Sequence, residues 1–208
     1  MVILILLIII IAYALGCIPV PRLVCSLLFR KAEGSGAEVR SYPQVLKAYG
    51  WAGVGAVFAA DLLRSLVIIL IGGLLLKGAG FPGVGRRTAL LFALLGQMMP
   101  ITDGMRARQG LVFPGLLLLW TDWRLFLIAL VIFVIVYLLT KRFSLCALGA
   151  GVSYPLFSII LGTGGSAKWI HFVLALLAAA VLILPYRGSL VKYFSGLKKG
   201  KKKAEEEE

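Results

Sequence analysis

The stretch VILILLIIIIAYALGCIPVPRLVCSLL, Val2 to Leu28, runs for 27 residues with Arg22 as its only charge. A hydrocarbon core of about 30 Å is crossed by about 20 apolar residues of helix, because backbone polar groups without water must bond within their own segment. The block is long enough to cross. It is too long, and too poor in basic residues at its start, for a cleaved signal peptide, so it reads as a retained helix. The stretch Ala14-Leu15-Gly16-Cys17 resembles a lipoprotein cleavage site only faintly, since no basic residue precedes it.

Working outward, further apolar blocks follow at Trp51 to Leu76, Leu125 to Thr140, Ser144 to Leu161 and Trp169 to Pro185, with two shorter pieces at Leu90 to Ile101 and Leu111 to Thr121. The short pieces are tilted helices or a re-entrant pair. Apolar residues make up 61% of the chain and charged ones 15%, which excludes a soluble domain. The expected fold is all-α: a polytopic membrane helix bundle of about seven transmembrane helices, two of them short or re-entrant. Residues 1–186 form the transmembrane domain, and 187–208 a basic, then acidic cytoplasmic tail, partly disordered.

Of the 22 Lys and Arg residues, fifteen fall in the tail and on one alternating set of loops, around Arg30, Arg40, Lys47, Arg106, Arg108 and Lys141. Five (Lys77, Arg86, Arg87, Arg124 and Lys168) fall on the other set. Cytoplasmic loops retain positive charge, which places the N-terminus outside and the tail and the richer loops in the cytoplasm. The net charge of +13 is dispersed between spans, so it points to anionic membrane lipids and not to nucleic acid. The tail LKKGKKKAEEEE reads as a solvated, self-neutralising end. Cys17, Cys25 and Cys146 have neither metal-ligand nor redox spacing and read as packing residues. No internal repeat is apparent, which argues against an inverted-repeat transporter.

A polar group inside a membrane protein is kept where water, substrate or a partner satisfies it. Four clusters interrupt the apolar blocks. In Glu33-Gly34-Ser35-Gly36, continuing through Arg40 and Lys47 to Gly50, glycines around a serine let backbone N–H groups face an anion. Asp61 and Arg64, at i,i+3, share a helix face and can pair, either as an internal ion pair or as a polar wall. The run Gly96-Gln97-Met98-Met99-Pro100, then Asp103, Arg106, Arg108, Gln109 and Gly110, offers two guanidinium groups to a phosphate or supplies positive-inside charge alone. Lys141-Arg142-Phe143-Ser144 and Tyr186-Arg187-Gly188-Ser189 are mostly explained as interfacial anchors. His171, the only histidine, lies apart from all four. No metal-ligand set or nucleophilic triad is readable, so no cofactor is expected.

In order, these clusters resemble the bacterial glycerol-3-phosphate acyltransferases that use acyl phosphate, the PlsY type. Tyr13-Ala14-Leu15-Gly16-Cys17-Ile18-Pro19 is similar to the family's YxxGSIP, and Gly34-Ser35-Gly36 to the start of GSGNxGxTNxxRxxG, with Lys47 on its Arg and Gly50 on its closing Gly. Asp61-Leu62-Leu63-Arg64 resembles DxxK. Gly96, Pro100 and Gly110 match GHxxPxFxxFKGGKGVAT without gaps, with Arg106 on its first Lys, Lys141 to Leu145 resembles RYxSLxS, and Tyr186 to Leu190 resembles the start of HRxNIxRLxxG. Several motif positions differ: Ala37, Pro43 and Gln44, Gln97, Ala107-Arg108-Gln109, Tyr186 and Ser189.

The resemblance implies transfer of a fatty acyl group from acyl phosphate to the 1-hydroxyl of glycerol 3-phosphate, giving lysophosphatidic acid for phospholipid synthesis at the bacterial cytoplasmic (inner) membrane. It implies Ser35 and Lys47 as catalytic residues. Gly34, Gly36, Arg40, Asp61, Arg64, Gln97, Arg106, Arg108, Gln109, Gly110, Ser144 and Arg187 would bind substrate. Acyl phosphate, glycerol 3-phosphate, membrane lipids and an acyl-phosphate-producing enzyme are the expected partners. The substituted motifs leave a silent or substrate-altered member, binding lipid or acyl phosphate, as the alternative, and a small transporter as the second.

Overall fold

The computed structural model describes residues 1–28, 41–101, 110–161, 167–189, 191 and 195. Within them every regular element is a helix: α1 (Val2–Cys17), α2 (Val20–Leu28), α3 (Tyr42–Leu75), α4 (Pro82–Met98), α5 (Val112–Thr121), α6 (Trp123–Thr140), α7 (Phe143–Ile160) and α8 (Lys168–Ile183). Four are long and apolar enough to cross a bilayer: α3, α6, α7 and α8 with its extension to Ser189. The bent α1–α2 pair makes a fifth. The chain is a multi-pass membrane protein.

The block Val2 to Leu28 is not one continuous helix. It breaks at Ile18-Pro19, and α2 leaves α1 at 56°. Pro19 has no N–H to continue the α1 ladder, and Ile18, ahead of it, takes an extended ψ of 123°. The expected span Trp51 to Leu76 is the longer arm of α3. Ser41 and Pro43 begin that helix earlier, and it bends at Gly50, whose φ of 65° a side chain would oppose. Asp122 ends α5 and begins α6, its carboxylate accepting from the Arg124 N–H at 3.1 Å.

The expected piece Leu90 to Ile101 is the second half of α4, which begins at Pro82. Its 17 residues rise about 25 Å, close to the hydrocarbon thickness. α4 is the bundle's centre, burying Arg87 and Thr88 along with its apolar residues. It packs closely because small residues meet at the crossings. A Cβ at Gly72 of α3 would lie 2.6 Å from the Gly85 carbonyl oxygen of α4, and one at Gly16 of α1 would strike the Ala93 carbonyl. Gly96 meets the Tyr13 and Cys17 backbone in the same way, so the C-terminal ends of α1 and α4 lie together and the two helices run parallel. α8 runs parallel to α4, with His171 buried against Gly83. α5, with ten residues, is too short to cross alone. α6 buries only Leu125 and Ala129, and its other faces are left to lipid.

Candidate active site

Three helix ends converge beside the middle of α3. α1 stops at Cys17, α4 at Met98, and α5 starts at Val112. Against them α3 presents Asp61 and Arg64, one turn apart, with Arg64 Nη2 3.1 Å from Asp61 Oδ1. The other Asp61 oxygen accepts from the Tyr42 hydroxyl at 2.7 Å. Arg64 Nη1 donates to the Ile18 carbonyl at 2.7 Å, at the α1 break, and the guanidinium lies 3.7 Å from the centre of the Phe113 ring. Each contact suits the charge: a cation favours the carbonyl end of a helix and an aromatic face, and the carboxylate is held by one hydrogen bond and one ion pair. Asp61 is 3% exposed, which a charge tolerates only when paired in this way.

This assembly walls one end of a cavity of about 880 Å³. Ser41, Tyr42, Asp61, Arg64, Gln97 and Gly110 supply most of its polar edge, while leucine, phenylalanine and small residues of α4 to α8 line the rest. Gln97 Oε1 is buried there with no hydrogen-bond partner among the described residues. A Cβ on Gly110 would stand 3.7 Å from Gln97 Nε2, so the two meet across the cavity edge. An amide oxygen without a partner in a cavity wall is placed to accept from a ligand hydroxyl.

Of the residues expected from sequence, Asp61, Arg64, Gln97 and Gly110 come together here. Lys47 is exposed on the first arm of α3 and lines no part of the cavity. Ser144, half-buried in the first turn of α7, does not line it either, although its neighbour Phe143 does. Arg187 is exposed beside Tyr186, which does. Gly34, Ser35, Gly36, Arg40, Arg106, Arg108 and Gln109 lie outside the described residues, as does the tail beyond Ser195. The structure adds Tyr42 and Phe113, neither of which sequence spacing marks. Tyr42 stands 19 residues from Asp61, and only the bend at Gly50 and the packing of α3 give it a role.

A family model described as glycerol-3-phosphate acyltransferase matches residues 6–196. A glycerol-3-phosphate acyltransferase of Thermoanaerobacter sp. is 27% identical over 194 residues, with 90% of each chain covered. Glycerol-3-phosphate acyltransferase 1 of Lactobacillus johnsonii is 28% identical over 166 residues, with 74% of each covered. Among solved structures, PlsY (YgiH), an integral membrane glycerol 3-phosphate acyltransferase, is similar in its glycerol 3-phosphate form, with a TM-score of 0.69 at 21% identity and 92% of both chains covered. Its lysophosphatidic acid form gives 0.72 at 22%, with the same coverage. At these identities the structural likeness speaks for the fold.

Proposed function

We infer, from the premise that this chain belongs to the glycerol-3-phosphate acyltransferase family, that it moves a fatty acyl group from acyl phosphate to the 1-hydroxyl of glycerol 3-phosphate. The products are lysophosphatidic acid and inorganic phosphate. The observation that carries this reading is the cavity's division into a polar end and an apolar body, which suits an amphiphile with an anionic head and one chain.

The chemistry asks little of the protein at the donor. In a mixed anhydride the phosphate is already a leaving group: the acceptor oxygen bonds to the acyl carbon, the carbon–oxygen bond to phosphate breaks, and a phosphate oxygen takes the hydroxyl proton. What remains is to hold two anions together and to stabilise charge on the carbonyl oxygen. The motif resemblance assigns Ser35 to the reacting centre and Arg106 and Arg108 to a phosphate, while Lys47, which the resemblance pairs with Ser35, stands exposed outside the cavity. Arg64 is occupied by Asp61, the Ile18 carbonyl and Phe113, so it fixes the polar end in place and is not a phosphate ligand. Gln97 would accept from the glycerol backbone.

The test is lysophosphatidic acid formation by purified protein from glycerol 3-phosphate with acyl phosphate, acyl-CoA or acyl carrier protein thioester as donor. Product with acyl phosphate alone is the expected result. Product only from a thioester overturns the donor assignment. A second reading, a silent or substrate-altered member, is favoured by Gln97 and by Ala107-Arg108-Gln109, which stand where the motif this stretch resembles has His and Gly-Gly-Lys. It predicts activity only after Gln97→His and a restored Gly-Gly-Lys.

In the same reading the protein sits in the bacterial cytoplasmic membrane with its N-terminus outside and its site loops and C-terminus in the cytoplasm, where an enzyme making acyl phosphate would supply the donor. The cysteines Cys17, Cys25 and Cys146 are all buried, so single reporter cysteines can be read against a silent background. An impermeant thiol reagent applied to intact cells should label Lys77→Cys, and should reach Glu38→Cys and Arg187→Cys only after permeabilisation. The reverse pattern inverts the topology.

A further inference from the structure

The cavity has a floor. On α4 to α8, which line its apolar body, the lining residue furthest from the Gln97 end is Leu90 on α4, Leu119 on α5, Phe126 on α6, Tyr154 on α7 and Ala178 on α8. On α7 the lining changes abruptly in size. Ala150 and Gly151 stand one turn before Tyr154, at i−4 and i−3, on the same face. A chain running along α7 therefore passes two residues with almost no side chain and then meets a phenol ring. Ala178 and Ala179 on α8 keep the opposite wall equally low up to that level.

What lies behind the ring differs from what lies in front. Tyr154 is 7% exposed, and its hydroxyl is in the field of Arg87 and Asp122. Arg87, 5% exposed, stands three residues beyond Leu90 on α4 and does not line the cavity. Asp122 is the corner between α5 and α6. The apolar space thus ends against charged groups, the buried Arg87 and the half-buried Asp122. A terminal methyl group pushed among them would strip their hydration and hydrogen-bond partners and gain nothing in return.

We propose, resting on the acyltransferase reading above, that Tyr154 closes the acyl-chain cavity and sets the longest chain that the protein accommodates. Below that length each further methylene is buried and tightens binding by about fourfold. Above it, an added methylene has no apolar surface left to cover.

The test is binding, so that it does not depend on turnover. Alkyl phosphates of eight to eighteen carbons, which cannot transfer an acyl group, are titrated against the detergent-purified full chain and its variants in the same micelles. Micellar partitioning of the ligand then cancels between proteins. In the native protein affinity should climb with length and level off. In Tyr154→Ala the plateau should move out by about two to four carbons, with affinity for the longest ligands rising tenfold or more. Leu119→Ala, which lowers the floor from α5, should move it the same way by about one or two carbons. Tyr154→Phe, which keeps the ring, should leave the plateau where it is. If Tyr154→Ala does not fold, Leu119→Ala and Ala178→Leu decide the matter, with Ala178→Leu shortening the plateau. A plateau unmoved in every folded variant, or a uniform loss at all lengths, overturns the floor. Absence of lysophosphatidic acid formation by a protein whose plateau does move would overturn the proposed reaction and leave the floor standing.

Discussion

Replacing Arg64 alone with methionine should cost the fold about 3–5 kcal/mol, because it leaves the Asp61 carboxylate charged, 3% exposed and short of its cation. Asp61→Leu should cost a similar amount by stranding the guanidinium. It also takes the acceptor from the Tyr42 hydroxyl. The double replacement, Asp61→Leu with Arg64→Met, removes both charges and should cost less than either single change. It does not return to zero. The Ile18 carbonyl loses its Arg64 donor at the α1 break, and the Tyr42 hydroxyl is left without its acceptor, each worth about 1–3 kcal/mol when buried. Folded yield and thermal unfolding in one detergent, followed for the two single variants and the double, measure the coupling. Additive, independent losses would show that the pair contributes nothing as a pair.

Ser35→Ala should lower the maximal rate of lysophosphatidic acid formation by on the order of 10²-fold or more, with little change in the half-saturating glycerol 3-phosphate concentration. The reasoning is one of timing. A hydroxyl that helps the proton leave or steadies the forming oxyanion acts at the transition state, so its loss appears in the rate. Arg106→Ala and Arg108→Ala remove partners of a phosphate that is charged before and during the reaction. They should mainly raise the half-saturating concentration. Turnover at the native rate with Ser35 and both arginines removed would eliminate the proposed site. Equal effects of all three changes on rate and saturation would instead assign them a common structural role.

What the sequence discloses about this bundle depends on what each helix touches. α6 faces lipid on most sides, and its apolar block alone gives its extent to within two residues. α4 faces other helices and buries Arg87 and Thr88 among them, so a pattern read from apolarity alone takes these polar residues for loop and starts eight residues late. The break at Ile18 is written in Pro19 and Pro21, but the block stays apolar across both and reads as continuous. At the site, the i,i+3 spacing of Asp61 and Arg64 announces a pair because both partners ride one helix. Tyr42 joins them through a bend, and Phe113 across a helix interface, and neither relation leaves a period in the chain. Ser35, Arg106 and Arg108 rest on motif resemblance, since the described residues do not include them.

The central place of α4 also bears on how the protein is built. A nascent segment is released into lipid according to its own apolarity, and an arginine at mid-helix costs about 2.5–3.5 kcal/mol there, less toward the ends. α4 enters with Arg86, Arg87, Thr88 and Gln97, and with glycines that gain contact only when α3 and α1 are already present. Insertion is therefore expected to run in chain order, with α4 partitioning against the Gly72 and Gly73 face of an α3 already in place and not against lipid. Protease protection of ribosome-released chains ending after α4 should then require α3, and an α4 grafted behind an unrelated apolar helix should slip back into water.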